Sequence, residues 1–225
     1  MQFAVLFGGR IHGWDYCKED LKNLQNKYNA IFFVSLNAEG PDESTTSFCE
    51  YFNVNQEQII YIPTETPEKY IKYYSDGRKS NLYSQWFHIK SAMQLLMQYS
   101  IKNSIQFDCV IKYRADIKSD SILIIEKPLE PNRLYCPIDL SYQTNDQIAY
   151  GDFQTMILYS NLVDFFEYFY HNNMFMYGEY KHLIKPAEIF LFEYICILAQ
   201  ITEPKIDIIY FNFNYYLHPK RHLLD

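Results

Sequence analysis

Short apolar runs separated by helical patterns dominate the first half of this sequence, and they constrain its fold more than any other feature. The runs lie at residues 3–7, 30–36, 58–62 and 109–111, with amphipathic stretches between them. Runs this short and this apolar are typical of strands that are buried on both faces of a parallel sheet. Strands that alternate with helices predict βαβ units, so we expect a single α/β domain with a mainly parallel sheet flanked by helices.

Helical periodicity supports this organisation. The longest predicted helix covers residues 82–103, where Trp86, Ile89, Met93 and Leu96 form one apolar stripe. Further helices are predicted over residues 15–28, around Phe48, from Asn161 as N-cap to about residue 171 and from Pro186 onward, and further strands at residues 123–125, 133–136, 148–151 and 206–211.

Charge and composition exclude several functional classes. A net charge of −7 argues against non-specific binding of nucleic acid or of an anionic membrane, because both need a basic surface. The five cysteines are widely spaced and form no CxxC pair, which is typical of reduced core residues in an intracellular protein. The sequence has no basic leader and no apolar run long enough to span a bilayer, so we expect a cytoplasmic protein without a membrane span.

One predicted strand ends in charged residues that suit ligand binding. The apolar run 109–111 leads directly to Arg114 and Asp116. Because open α/β sheets bind ligands outside the carboxyl ends of their strands, we hypothesise that Asp116 helps to hold a divalent cation under a nucleotide diphosphate. Arg114 either binds a phosphate with its planar donor fork or holds Asp116 in place.

The first strand and the long helix supply further candidates for nucleotide-sugar contacts. Gly8 stands in a turn where glycine allows close approach of the backbone, and Arg10 follows it as a candidate for the diphosphate. This turn lacks the GxGxxG spacing, so an ordinary tight turn is an equal alternative. Gln85 and Lys90 lie off the apolar stripe of the long helix, where a solvated polar position is the alternative.

Three segments carry a resemblance to a known family. FDCVIKYRADI matches the pattern YDxVIRxRxD, NDQIAYGDFQTM matches an NDQxxxG segment followed by methionine, and KPAEIFLFEYI matches a PE helix. Together and in this order they resemble small GT-A type glycosyltransferases, similar to those of large algal viruses and of bacterial polysaccharide loci. The resemblance implies one GT-A-like, Rossmann-like domain, in which residues 1–120 form the nucleotide-binding half and residues 121–225 the acceptor-side half.

The same resemblance implies a metal-dependent transfer of sugar from a UDP- or GDP-linked donor to a glycan or glycoconjugate acceptor. Mn²⁺ or Mg²⁺ would stabilise the leaving diphosphate, with Asp116 and His218 as ligands. Many GT-A enzymes have DxD at this site, whereas this chain has Arg114 in place of the first acid, which bears on the number of protein ligands. An inverting transfer also needs a base, for which Asp146 is preferred over Glu188, while a retaining transfer needs neither as base.

Two other functions remain open from the sequence. A nucleotidyltransferase also uses a strand-end aspartate and a metal, but it usually has a glycine-rich signature that GGRIHGWD lacks. A non-catalytic carbohydrate-binding module is compatible with the 22 Tyr and 17 Phe, because sugars stack on aromatic rings. Coding bias toward AT-rich codons would produce the same aromatic enrichment.

Overall fold

The computed structural model describes residues 1–71, 81–125, 128–138, 145–172, 174, 176–177, 180–184 and 187–217. Two short 3-10 turns, Glu68–Tyr70 and Asn161–Phe165, supplement its regular elements. In chain order the strands and helices are β1 (Phe3–Gly9), α1 (Trp14–Tyr28), β2 (Ile31–Leu36), α2 (Glu43–Phe52), β3 (Ile59–Tyr61), α3 (Leu82–Asn103), β4 (Cys109–Tyr113), β5 (Ile117–Ser119), β6 (Arg133–Pro137), β7 (Ile148–Gly151), α4 (Phe153–Ser160), α5 (Phe166–His171), β8 (Met176–Tyr177), β9 (Tyr180–Ile184), α6 (Ala187–Ile201), β10 (Asp207–Phe211) and β11 (Tyr215–Leu217).

A seven-stranded sheet with the order β10-β6-β7-β4-β1-β2-β3 forms the centre of the molecule. β1 pairs in parallel with β2 and β4, β2 with β3 and β6 with β10, whereas β7 runs antiparallel to both of its neighbours. The predicted α/β fold with a mainly parallel sheet flanked by helices is therefore confirmed. The chain adds β2 and β3 on one side of β1 and then crosses to add β4 on the other side. This reversal is a topological switch point, where a crevice opens outside the carboxyl ends of β1 and β4.

The two faces of the sheet carry separate cores. Phe3, Val5 and Phe7 of β1 pack with residues of α1 and α2, whereas Ala4 and Leu6 pack with residues of α3. Successive side chains of a strand point to opposite faces, and right-handed crossovers in opposite directions place the helices on opposite faces. We call these the α1/α2 face and the α3 face.

Residues 123–125 correct one sequence prediction, because they form no strand. Leu123 and Ile125 are buried, as the alternating pattern requires, while Ile122 and Ile124 are exposed. The backbone is held by a side chain instead of a neighbouring strand: the Tyr28 hydroxyl donates to the carbonyl of Leu123 at 2.8 Å and accepts from the N–H of Ile125 at 2.8 Å. The apolar alternation therefore reflects packing on α1.

The helix predicted to begin at Asn161 is a second correction. The helical region begins earlier, where the Asp152 carboxylate accepts the backbone N–H groups of Gln154 and Thr155, both at 2.9 Å, and so caps α4. Asn161 lies at the end of α4 and opens a 3-10 turn that leads into α5. Asp152 is a stronger N-cap than Asn161 here because its carboxylate satisfies two of the N–H groups that a helix leaves unpaired.

The carboxyl-terminal part of the chain contains elements that the sequence did not indicate. β11 follows the last strand that the sequence predicts, and it pairs antiparallel with β5. α6 begins at Ala187, and the Pro186 predicted to open it lies outside the described residues. Among the helices of the described residues, none combines the length and apolar character that a membrane crossing requires.

Candidate active site

The crevice at the switch point is bordered by residues from several elements. Arg10 directly follows β1 and is exposed, and Arg114 and Asp116 directly follow β4. β7 is antiparallel to β4, and Tyr113 pairs with Ile148, so the residues that precede β7 reach the same edge of the sheet. The fold thus places the NDQ segment beside the Arg-Ala-Asp turn, although the two lie far apart in sequence.

Arg114 and Asp116 form a two-pronged ion pair. Nε of Arg114 donates to Oδ1 of Asp116 at 2.9 Å, and Nη2 donates to Oδ2 at 2.7 Å. The Asp116 side chain is 10% exposed and the Arg114 side chain 31% exposed. Of the two roles predicted for Arg114, the geometry realises the one in which it holds Asp116. Its partial exposure also leaves the guanidinium at the surface of the crevice.

Asp146 is buried at this edge and is held by two side-chain amides. Nε2 of Gln85, in the first turn of α3, donates to Oδ2 of Asp146 at 2.8 Å, and the Gln147 side chain donates to the other carboxylate oxygen. The buried Oε1 of Gln147 has no hydrogen-bond partner within the described part of the chain. Gln85 therefore reaches the crevice through its bond to Asp146.

Lys112 is a residue of this site that the sequence motifs did not indicate. It is 2% exposed, it lies on the α3 face with Val110, and its ammonium group donates to the backbone carbonyl of Asp146. Burial lowers the pKa of Lys112 to about 8, against the attraction of the Asp146 carboxylate. Lysine is almost never fully buried without a partner, so a lysine next to a predicted buried strand was the sequence signal that could have identified this site residue.

Glu188 adds a third carboxylate to the charges around Lys112. It lies half-buried in the first turn of α6, and its charge, like those of Asp146 and Asp116, raises the pKa of Lys112, whereas that of Arg114 lowers it. The group therefore contains two cations, Lys112 and Arg114, and three carboxylates. Both residues predicted as catalytic carboxylates belong to this group.

Two other predicted site residues have contacts that do not involve this group. A Cβ added to Gly8 would lie 2.7 Å from the backbone nitrogen of Ile89, so glycine is required for the packing of α3 on β1. Nζ of Lys90 bonds both carboxylate oxygens of Asp164, at 2.6 and 2.5 Å, in the 3-10 turn after α4. Both contacts are structural, and neither residue bonds Asp116 or Asp146 in the described geometry.

The last described strand contacts both sides of the crevice. The Tyr215 hydroxyl accepts Nδ2 of Asn145 at 2.5 Å, and Oδ1 of Asn145 accepts the backbone N–H of Gln147 at 2.8 Å. Leu217 pairs with Ile117, the residue after Asp116. His218, predicted as a metal ligand, lies outside the described residues.

No protein-family profile matches the chain, and no curated protein matches its sequence. Solved structures that are similar include a glycosyltransferase involved in the glycosylation of the major capsid of PBCV-1, at 10% identity over 94% of this chain and 83% of that chain, with a TM-score of 0.46. The galactosyltransferase LgtC with donor and acceptor sugar analogs matches at 12% identity, over 87% of this chain and 70% of that chain, with a TM-score of 0.47. An active-site mutant of LgtC matches at 12% identity, over 93% and 72%, with a TM-score of 0.49.

These similar structures are glycosyltransferases. They belong to the class of enzyme that the sequence motifs resemble.

The side chains of the crevice fit a divalent cation that takes few ligands from protein. Within the described ranges, no group of three or more His, Cys, Asp or Glu is arranged to hold a metal. Both oxygens of Asp116 accept from Arg114, but a carboxylate oxygen has a second lone pair. Mg²⁺ typically takes one or two carboxylates and completes its shell with phosphates and water, so Asp116 suffices as one ligand.

Asp116 lies near α1. Burial and the negative charge of Asp116 together raise the pKa of Cys17, in α1, to about 12, with burial the larger cause. Asp20, also in α1, accepts the backbone N–H of Ser119 at 3.0 Å and so fastens β5 to the same helix. The turn that carries Asp116 is thus fixed from both ends.

Proposed function

We propose that this protein is a glycosyltransferase that uses a nucleotide-sugar donor and a divalent cation. The observation that carries the proposal is the convergence at the switch-point crevice of the Arg114–Asp116 pair with Asp146 and Glu188. Transfer from a nucleotide sugar needs positive charge at the leaving diphosphate, and an inverting transfer also needs a carboxylate near the acceptor hydroxyl. Both kinds of group border this crevice.

On the donor side, Arg114 and Arg10 are the proposed diphosphate-binding cations. A guanidinium group matches phosphate oxygens with parallel N–H donors, and both residues follow the strands that flank the switch point. Asp116 fixes the orientation of Arg114 and is the proposed metal ligand. Mn²⁺ or Mg²⁺, when bound there, would supply Lewis-acid stabilisation of the charge that develops on the diphosphate.

On the acceptor side, Asp146 is the proposed base for an inverting transfer. Two amides orient its carboxylate, and each oxygen has a further lone pair with which to accept the proton of an acceptor hydroxyl. Glu188, half-buried near the same charges, is the second candidate for this role. A glycan or glycoconjugate with a free hydroxyl is the acceptor class that this chemistry uses.

A donor panel tests the proposal. The protein is incubated with UDP-, GDP- and dTDP-sugars, with Mn²⁺ or Mg²⁺ and with EDTA, while thermal unfolding and release of nucleoside diphosphate are followed. We expect one nucleotide class to stabilise the fold with metal, by about 2.7 kcal/mol at a ligand concentration of roughly 100 times Kd, and slow hydrolysis of its sugar.

Absence of both stabilisation and hydrolysis with every donor would contradict the proposal. Release of pyrophosphate from a nucleoside triphosphate would instead indicate a nucleotidyltransferase. Metal-independent binding of glycans without any response to nucleotides would indicate a carbohydrate-binding module.

A further inference from the structure

The buried ammonium group of Lys112 needs an explanation beyond packing. Lys112 stands in β4 between Ile111 and Tyr113, all three buried, and its side chain enters the core under α3. Removing a charge from water is unfavourable unless it is paired and hydrogen-bonded. An apolar side chain of similar length would fill the same space without this desolvation.

Lys112 makes one contact that an apolar side chain cannot reproduce. Backbone pairing between β4 and β7 ends at Tyr113 and Ile148, so Asp146 lies beyond the end of the ladder. There the Lys112 ammonium donates to the Asp146 carbonyl, while Gln85 holds the Asp146 carboxylate at 2.8 Å. The hydrogen bond from Lys112 therefore links β4 to Asp146 just beyond the last backbone pair of β4 and β7.

The charge of Lys112 also acts on the surrounding acids. Asp116, Asp146 and Glu188 all interact electrostatically with it, and Arg114 is the second cation of the group. The positive charges of Lys112 and Arg114 partly offset the three negative charges of this group. The charge of Lys112 therefore acts on the carboxylates of the crevice, and its hydrogen bond holds the backbone of Asp146.

We propose that Lys112 is a positioning residue of this site, which fixes residues 145–147 at the crevice and balances the charge of the carboxylates there. Its kinetic consequence rests on the proposed glycosyl transfer, whereas its effect on the geometry of residues 145–147 does not. We expect Lys112 to act through Asp146 without contacting the substrate.

Lys112→Met tests the inference, because methionine keeps the unbranched shape and removes the charge. We expect turnover of the nucleotide sugar to fall by about 10- to 100-fold, the size of effect typical of a misplaced catalytic group. Affinity for the nucleoside diphosphate with Mn²⁺ should change by less than about threefold, because the Arg114–Asp116 pair is left intact. Lys112→Arg, which keeps a cation and N–H donors, should recover part of the turnover.

Amide hydrogen exchange provides a readout that needs no activity. In Lys112→Met, exchange at residues 145–151 should become faster, while exchange in β1 and β2 stays as in the wild type. Lys118→Met is the matched control, because Lys118 is exposed in β5 with its ammonium 4.9 Å from the ring centre of Tyr16. It should change neither exchange at residues 145–151 nor turnover. Lys112→Gln serves as a second neutral variant if the methionine variant does not fold.

The outcomes separate this inference from the proposed function. Unchanged exchange at residues 145–151 in the neutral variants overturns the positioning role, as does equal loss of nucleotide affinity and turnover with no recovery in Lys112→Arg. If the wild type binds no nucleotide, the proposed function fails, and the exchange measurement alone decides whether Lys112 positions this segment.

Discussion

The α1/α2 face and the α3 face of the central sheet are both tightly packed, but they bury different kinds of side chain. On the α1/α2 face, Phe48 is fully buried, with ring centres 5.6 Å from those of Phe7 and Trp14 and 4.7 Å from that of Phe52. The α3 face holds buried polar and charged groups, among them Lys112, within an otherwise apolar core. The first face therefore serves stability, and we infer that the second also serves chemistry.

Position along α3 explains where these polar groups lie. The first turns of the helix border the crevice, and there Ser84 accepts Nδ2 of Asn37 at 3.1 Å and Nδ1 of His88 lies 2.8 Å from Oγ of Ser35. Later turns contribute apolar residues such as Met93 and Leu96. The polarity of the buried face of α3 thus decreases with distance from the carboxyl edge of the sheet, as expected for a helix that begins at a binding crevice.

Phe48→Ala gives the largest expected change and tests the role of the α1/α2 face. The unfolding free energy should fall by about 3–5 kcal/mol, because a fully buried ring is lost and a cavity remains. Urea denaturation measures this loss, and calorimetry should find the nucleotide affinity of the folded variant unchanged.

Tyr51→Ala on the same helix is the control for Phe48→Ala. Tyr51 is 36% exposed, so its loss should destabilise the fold by less than half as much. A large loss of nucleotide affinity in Phe48→Ala, measured where the variant is fully folded, would contradict the claim that the α1/α2 face serves only stability.

His88→Gln gives a smaller effect and examines the α3 face. Burial lowers the pKa of His88 to about 4, below its ordinary value of 6.5, so the folded protein keeps the ring neutral while the unfolded chain takes up a proton. Stability should therefore fall as the pH decreases from 6.5 toward 4, and His88 should account for about 2 kcal/mol of that loss by pH 5.

Urea denaturation between pH 7 and pH 5 measures the contribution of His88 as a difference in slope. The His88→Gln variant should lose less stability over this range than the wild type, because its side chain takes up no proton. His12→Gln, which removes an exposed histidine, controls for the loss of an imidazole at the surface. Parallel pH profiles for the wild type and His88→Gln would show that the buried ring does not resist protonation.

Local patterns in the sequence predicted the parts of the fold that depend on local rules. The apolar runs and the stripe on the long helix predicted β1, β2, β4 and α3, because burial on both faces or on one face leaves a regular pattern. The pairing of β11 with β5 joins segments far apart in the chain, and no local signal specifies it. Residues 123–125 alternate like a strand because α1 buries one side of them, and alternation alone does not identify the packing partner.

In the candidate site, too, local patterns predicted the residues that follow local rules and missed those that depend on long-range contacts. Strand-end chemistry indicated Arg114 and Asp116, and the first turn of α3 indicated Gln85, and all three border the crevice. The role of Lys112 depends on a contact with the carbonyl of Asp146, which exists only once β4 and β7 pair. Lys90 had the same sequence signal as Gln85, and only the fold separates them, by pairing Lys90 with Asp164.

Above all, we propose that the carboxyl edge of β4 binds a nucleotide diphosphate with a divalent cation through Asp116. Calorimetric titration of Asp116→Asn with UDP or GDP in the presence of Mn²⁺ tests it most directly. Asp207→Asn, the same change at an exposed residue where β10 begins at the opposite edge of the sheet, is the control. We predict at least about tenfold weaker binding in Asp116→Asn, from the loss of a charged contact, with wild-type affinity in Asp207→Asn. Equal affinity in Asp116→Asn and the wild type would contradict the account.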